Sequence, residues 1–309
     1  MTITLLTGDC REVLQTLEPE SVHCVVTSPP YFGLRDYGVA GQIGLEPTPE
    51  AFTAELVRVF AEVRRVLRKD GTAWLNLGDS YANANPGSGG KCVLAGAGRA
   101  MTDARYHANK RDISGFKPKD LLGIPWRVAF ALQADGWYLR QDIIWSKPNP
   151  MPESVTDRCT KAHEYLFLLS KRERYYYDVE AIAEPASEEN HRDSRGLRPT
   201  PPGQSPTNGF LNGRHFVTRN KRSVWEVTTQ PFAEAHFATF PPALIEPCIK
   251  AGCPLGGTVL DPFGGAGTTG LVADRLQRNA ILIELNPTYA AMGERRITDD
   301  APLFVEVAP

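Results

Sequence analysis

Two stretches of the chain hold the residue types that chemistry would need. The first is Ser28-Pro29-Pro30-Tyr31, reached directly after the apolar run Val22, Val25, Val26. A strand that meets two prolines must stop, because proline has no N–H for a sheet ladder, so the tetrapeptide is a loop at a strand end. The prolines fix the backbone and leave carbonyl oxygens without competing donors. Ser28 adds a hydroxyl, and Tyr31 adds a flat aromatic face. Such a set can accept the hydrogens of an amino group while stacking on the ring that carries it. By itself, a four-residue match is more often a proline-rich turn with a packed tyrosine.

The second stretch is Thr258-Val259-Leu260-Asp261-Pro262-Phe263-Gly264-Gly265-Ala266-Gly267-Thr268-Thr269-Gly270. An apolar strand enters a glycine-rich turn, and a helix through Leu271 to Leu276 leaves it. This kind of turn lets the backbone approach a ligand closely and aims helix N–H groups at it. Glu284 ends the next apolar strand, Ala280-Ile281-Leu282-Ile283, where an acidic residue would hold a ribose hydroxyl pair. Gly265 to Gly270 also fits G-x-G-x-x-G, so the glycines serve a nicotinamide or flavin enzyme equally well.

Together the two stretches resemble the amino-methyltransferases that act on DNA with S-adenosylmethionine as methyl donor. In that family S-P-P-Y is the catalytic motif and D-P-F-x-G-x-G-T the cofactor motif. Catalytic motif first and cofactor motif last is similar to the β-type arrangement, with the target-recognition segment between them. The resemblance spans nearly the whole chain. It implies an α/β, Rossmann-like methyltransferase fold: a central, mostly parallel sheet flanked by helices, with an inserted DNA target-recognition segment. It also implies that Ser28, Pro29, Pro30 and Tyr31 act on the exocyclic amino group of a flipped base in double-stranded DNA. Serine before the prolines often accompanies cytosine in that family, with exceptions in this motif order, so adenine N6 and cytosine N4 both stand. Around the cofactor the resemblance places Asp261, Pro262, Phe263, Gly265, Gly267, Thr268, Glu284 and Asn286. It puts Asp9 beside the adenine, and Phe237 and Phe240 at the methionine end. The turn Ser146-Lys147-Pro148-Asn149-Pro150 resembles the wall of the target-base pocket, which would bring Trp145 and Lys147 to the base, while the residues themselves suit a core tryptophan and a surface lysine. The chemistry calls for no metal.

These loops need strands to hold them, and the chain supplies the patterns. Ile3 to Leu6 read as a strand that turns at Gly8-Asp9 into a helix over Arg11 to Leu17; aspartate there equally suits an N-cap. Phe52, Leu56, Val59, Phe60, Val63, Val66 and Leu67 recur at three- and four-residue steps, which marks one face of a helix. Gly71 is expected to end that helix before the strand Ala73 to Leu77. Pro125 opens another helix and Gly136 closes it. Strands are expected over Tyr138 to Trp145 and Tyr165 to Leu169, with His163 structural. A further helix is expected over Ala243 to Lys250. Three regions follow: a catalytic half over 1–177 with a polar, basic loop at about 82–114, a recognition segment over 178–222, and a cofactor half over 223–309. The recognition segment carries Arg192, Arg195, Arg198, Arg214, Arg219, Lys221 and Arg222, which suit phosphates and guanine edges.

Whole-chain charge is -2, so any DNA surface must be local. The six cysteines are scattered without C-x-x-C, which points to neither zinc nor a disulfide framework. No apolar run is long enough to span a bilayer and no leader pattern opens the chain, so a cytoplasmic protein is expected. A homodimer and a cognate restriction endonuclease suit the resemblance, but no residue marks either. An oxidoreductase would leave Ser28 to Tyr31 without a task. A non-catalytic DNA-binding module would transfer no methyl group. A C5-cytosine methyltransferase needs a cysteine nucleophile, and Pro247-Cys248 lies in a helix-like stretch without the rest of that pattern.

Overall fold

The computed structural model describes residues 1–34, 36–82, 115–117, 119–186, 217–230 and 240–300, and the backbone of 306–308. Strands β1 (Thr2–Thr7), β2 (Val22–Thr27), β3 (Leu67–Leu77), β4 (Tyr138–Ser146) and β5 (His163–Ser170) come from the first half of the chain. After the two-residue strands β6 (Glu184–Pro185) and β7 (Thr218–Arg219) come β8 (Val224–Glu226), β9 (Thr258–Asp261), β10 (Asn279–Glu284) and β11 (Glu306–Ala308). Nine of them form one sheet in the order β11-β1-β10-β9-β2-β3-β5-β4-β8, and β6 pairs with β7 separately. Within the large sheet every pairing is parallel except those of β5, which runs against β3 and β4.

Alternation along the strands sends side chains to two cores. Val25, Ala73 and Leu75 pack beneath the helices α1 (Cys10–Thr16), α2 (Pro49–Val66) and α3 (Ile124–Ala134). Cys24, Val26 and Trp74 pack on the other face, against α4 (Pro242–Gly252), α5 (Thr268–Arg275) and α6 (Pro287–Asp300). Both faces are therefore covered, as a largely parallel sheet requires. From β9 the chain goes through α5 to β10 on one side, and from β2 through α2 to β3 on the other. Connections that diverge from neighbouring parallel strands leave a crevice at the carboxyl ends of those strands. No helix among the described residues is long and apolar enough to cross a membrane.

Gly71 does not end α2. The helix stops at Val66, the Leu67 N–H closes on the Val63 carbonyl, and β3 begins at Leu67 with extended backbone. Gly71 lies inside β3, next to a register irregularity between Val22 and Cys24 of β2. A Cβ there would stand 2.6 Å from Leu67 Cδ1 and 3.0 Å from the His23 carbonyl. Glycine thus marks a close approach inside a strand, which a reading by helix-stop signals mistakes for punctuation. Cys10 opens α1 with Asp9 as N-cap, Thr268 rather than Leu271 opens α5, and β5 starts two residues early, at His163.

Gly252 closes α4 directly against the sheet. A methyl group there would meet Thr72 Oγ1 at 2.5 Å, Trp74 Nε1 at 2.7 Å and Cys24 Sγ at 2.8 Å. Gly252→Ala is therefore expected to destabilise the protein by about 1–3 kcal/mol through overpacking, read as a lower denaturant midpoint at unchanged slope.

Candidate active site

The two motifs meet at the crevice. Thr27 ends β2 and Asp261 ends the neighbouring β9, and the Thr27 hydroxyl donates to Asp261 Oδ1 at 2.6 Å across 234 positions of sequence. Asp261 is 1% exposed. Its Oδ1 also accepts from the Phe263 amide at 3.1 Å, and its Oδ2 accepts from the Thr269 hydroxyl at 2.6 Å. Burial pushes its carboxyl up to about 6, although all three hydrogen bonds pull the other way. Both carboxylate oxygens thus have partners inside the protein.

On the downstream side, Gly265 and Gly267 have positive φ of 51° and 76°, the region glycine reaches without strain. The Gly265 amide donates to Glu284 Oε2 at 2.8 Å and the Asn286 amide to Glu284 Oε1 at 2.8 Å, so Glu284 shapes the turn. Burial is the largest influence on the Glu284 carboxyl and holds it above the usual carboxylate range. Above Gly265 the space is open: a Cβ would find nothing nearer than the Phe263 carbonyl at 3.9 Å. Gly267 instead packs on α6, where a Cβ would come within 3.0 Å of Gly293 Cα. Arg296 of α6 donates to the Ala266 carbonyl and to Thr268 Oγ1, at 3.1 and 2.9 Å. Pro262 is buried and Phe263 half-buried, the latter against the α1–α3 core. Asn286 accepts from the Thr288 amide at 2.9 Å, at the start of α6. Phe240 packs against the opposite core, and Phe237 lies outside the described residues.

The Gly8 amide donates to the Glu284 carbonyl at 2.9 Å, which places Gly8-Asp9 beside the acidic end of β10. The Asp9 carboxylate caps α1 and pairs with Arg11. Arg11 in turn reaches Glu55 at 2.8 Å and the Gly41 carbonyl at 2.7 Å. Burial raises the Asp9 carboxyl, but the Arg11 hydrogen bonds outweigh it and leave it below its ordinary value.

On the catalytic side, the Tyr31 ring lies on Gly78, where a Cβ would stand 2.5 Å from Tyr31 Cε2. The Tyr31 hydroxyl is 2.6 Å from Glu164 Oε2 and 3.1 Å from Asn76 Oδ1. Ser28 donates to the same Asn76 Oδ1 at 3.3 Å. Asn76 Nδ2 faces the Tyr165 carbonyl at 3.1 Å and Glu164 Oε2 at 3.3 Å. Burial first, then the Glu164 charge, pushes the Tyr31 phenol well above its usual range. Asn76 and Glu164 stand outside the predicted site. The only signal for them is a polar residue in or beside a run as apolar as Ala73 to Leu77 or Tyr165 to Leu169.

Lys147 forms an ion pair with Glu164, and its ammonium lies 4.2 Å from the centre of the Trp145 ring. Trp145 is buried, and its indole N–H donates to the Val227 carbonyl at 2.8 Å. His163 stacks edge-on against Tyr165, in keeping with a structural role. Of the cations expected to contact DNA, Arg219, Lys221 and Arg222 converge on one carboxylate, Glu184, at 3.4, 3.7 and 3.0 Å, which leaves that patch net positive. Arg192, Arg195, Arg198, Arg214 and most of the 82–114 loop lie outside the described residues. Cys248 is buried in α4, and burial pushes its thiol well above its usual range, the opposite of what a nucleophile needs.

The DNA methylase family model, covering N6- and N4-methyltransferases, matches residues 22–295. The chain belongs to this family. It is 48% identical to the Type II methyltransferase M.XycI of Xanthomonas campestris pv. cyanopsidis, over 99% of this chain and 91% of that one. It is also 48% identical to the Type II methyltransferase M.Cfr9I of Citrobacter freundii, over the same shares. Among solved structures it resembles the S-adenosyl-L-methionine complex of a Thermus thermophilus protein described as a putative DNA modification methylase. That match has a TM-score of 0.60 and 27% identity and covers 99% and 100% of the two chains. The PvuII DNA methyltransferase, cytosine-N4-specific, shares the fold with a TM-score of 0.63 at 20% identity, over 97% of this chain and 92% of that one. The DNA methylase is thus an S-adenosylmethionine-dependent enzyme of the amino-methylating class, and nothing in these matches favours an oxidoreductase or a non-catalytic binding module.

Because burial raises the Asp261 pKa, its contribution to stability is full below the unfolded value and is lost as pH rises through the folded one. The stability of the wild-type enzyme relative to Asp261→Asn is expected to fall between about pH 3.8 and about pH 6 and to level off above. Chemical denaturation of both proteins across that range checks it, and parallel curves would remove the charge argument.

Proposed function

We propose that the crevice at the ends of β2, β3, β5 and β9 presents a flipped base to Ser28, Pro29 and Tyr31 and methylates its exocyclic amino group, adenine N6 or cytosine N4. The observation that carries this reading is the Thr27–Asp261 hydrogen bond, which brings the amine-accepting loop and the glycine turn to neighbouring strand ends. S-adenosylmethionine supplies the electrophilic methyl group. Gly265 lets the turn approach it, Gly267 lets the same turn close on α6, and the second lone pairs of the Glu284 carboxylate are free to take ribose hydroxyls. Asp9 at the adenine, Phe237 and Phe240 at the methionine end, and Pro262, Phe263, Thr268 and Asn286 around the turn complete the proposed pocket. Asp261 contributes by joining the loops, since burial keeps its carboxylate away from a ligand.

An exocyclic amino nitrogen shares its lone pair with the ring and is a poor nucleophile. Asn76 Oδ1 receives the Ser28 hydrogen, so the Ser28 oxygen keeps its lone pairs for a hydrogen of the amine. The Pro29 carbonyl, followed by a residue without an N–H, takes the other. With both hydrogens held, the nitrogen becomes more pyramidal and its lone pair can attack the sulfonium methyl in line; the N–C bond would form as the methyl–sulfur bond breaks, S-adenosylhomocysteine would leave, and the nitrogen would lose one proton to solvent. Fixing two reactants this way is worth effective molarities of about 10⁵ M or more. Tyr31 offers a stacking face to a base removed from the duplex. The segment 178–222, anchored at its base by the β6–β7 ladder, reads the DNA sequence between the catalytic half and the cofactor half, and its cations hold phosphates. The Type II designation of the relatives supports a cognate endonuclease as the biological counterpart, and action on DNA in the cytoplasm belongs to the same reading.

Ser28→Ala and Tyr31→Ala are each expected to lower turnover on the order of 100-fold or more, with cofactor affinity within a few-fold. Wild-type turnover in either would exclude the loop from the reaction. Glu284→Ala should instead weaken S-adenosylmethionine binding by roughly tenfold or more, measured by calorimetry. Mass spectrometry of nucleosides from digested, methylated DNA tells N6-methyladenine from N4-methylcytosine.

A further inference from the structure

Asn76 Oδ1 faces two hydroxyl groups, those of Ser28 and Tyr31, at 3.3 and 3.1 Å. If Tyr31 gave its single hydrogen to that oxygen, it would compete with Ser28 for the same acceptor. A Ser28 hydroxyl that lost this competition could turn its hydrogen toward the incoming amine and become a donor where an acceptor is needed. The structure holds a stronger acceptor for the phenol: a carboxylate oxygen of Glu164 at 2.6 Å, closer than the amide oxygen. Charge-assisted hydrogen bonds of this kind are the short, strong ones. The same Glu164 oxygen lies 3.3 Å from Asn76 Nδ2, whose other partner is the Tyr165 carbonyl. These two contacts fix the amide so that its oxygen, and not its nitrogen, faces Ser28. Glu164 is only 15% exposed, and a charge so withdrawn from water needs a partner; Lys147, 17% exposed, supplies it.

We infer that Glu164 is a positioning residue for methyl transfer: it takes the Tyr31 hydrogen and orients the Asn76 amide, and so keeps the Ser28 oxygen an acceptor, with Lys147 as its counter-ion. The inference rests on the amine-accepting role proposed for Ser28. Glu164 touches neither base nor cofactor in this scheme. It acts through Tyr31 and Asn76, and its effect belongs in kcat and not in cofactor binding.

The test is a double-mutant cycle on single-turnover methylation of duplex DNA, with Glu164→Gln, Tyr31→Phe and the pair. Glu164→Gln is expected to slow methyl transfer roughly tenfold in the Tyr31 enzyme while S-adenosylmethionine affinity stays within a few-fold, and to slow it clearly less in the Tyr31→Phe background, where no phenol hydrogen competes for Asn76 Oδ1. A Glu164→Gln enzyme at the wild-type rate, or effects that multiply independently, would overturn the inference and leave the proposed reaction intact. Wild-type turnover by Ser28→Ala would instead sink that reaction. Should Glu164→Gln fail to fold, the cycle of Lys147→Met with Tyr31→Phe carries the same test. Lys147→Met removes the counter-ion but leaves the carboxylate, so non-additive slowing supports the inference and independent effects reject it.

Discussion

A buried carboxylate at the end of β9, next to the middle strand of the sheet, holds the candidate active site together. Asp261 closes β9, receives a hydroxyl from the last residue of β2, and also ties down the first turn of α5 and the backbone at Phe263. Without that knot, the loops that follow the two strands would share a sheet but not a defined separation. In-line transfer between two bound molecules depends on that separation, because misplacement by about an ångström costs orders of magnitude in rate. The burial that makes these hydrogen bonds strong also makes the charge expensive to keep, and this sets the direction of the pKa shift.

Much of this architecture is legible in the sequence, because its signals are local. The strand-ending prolines, the Asp261-to-Gly270 turn and the three- and four-residue apolar steps of α2 each follow from the residues in one window. What escapes depends on contacts between windows. Gly71 reads as a helix stop, and only the neighbouring β2 shows that it is a tight spot inside a strand. Asn76 and Glu164 are single polar residues in apolar surroundings, and nothing in either segment reveals that both turn toward Tyr31. Asp9 and Asp261 read as cofactor contacts because they sit at strand ends in the right places. Their carboxylates also have partners inside the protein, Arg11 for Asp9 and Thr27 and Thr269 for Asp261, which neither window shows.

Electrostatics are local throughout. A net charge of -2 gives the whole chain no attraction for a polyanion. Among the described residues a local excess of cations stands at Glu184 beside the β6–β7 ladder, where Arg219, Lys221 and Arg222 share one carboxylate. One acid among several bases fixes their positions yet leaves the patch positive. With Arg222 70% exposed at its outer edge, the patch keeps charge in solvent.

The reversed direction of β5 has a consequence for how the chain finds its alignment. In the β4–β5 ladder Trp145 pairs with Glu164 and Ser146 with His163, and Lys147 follows with its amide on the Ala162 carbonyl. Sliding β5 by one residue would swing Glu164 to the far side of the sheet and pull it away from both Lys147 and Tyr31. The ion pair that serves the tyrosine thus also penalises misthreaded pairings of this hairpin, so selection for activity and selection for correct strand alignment act on the same two side chains.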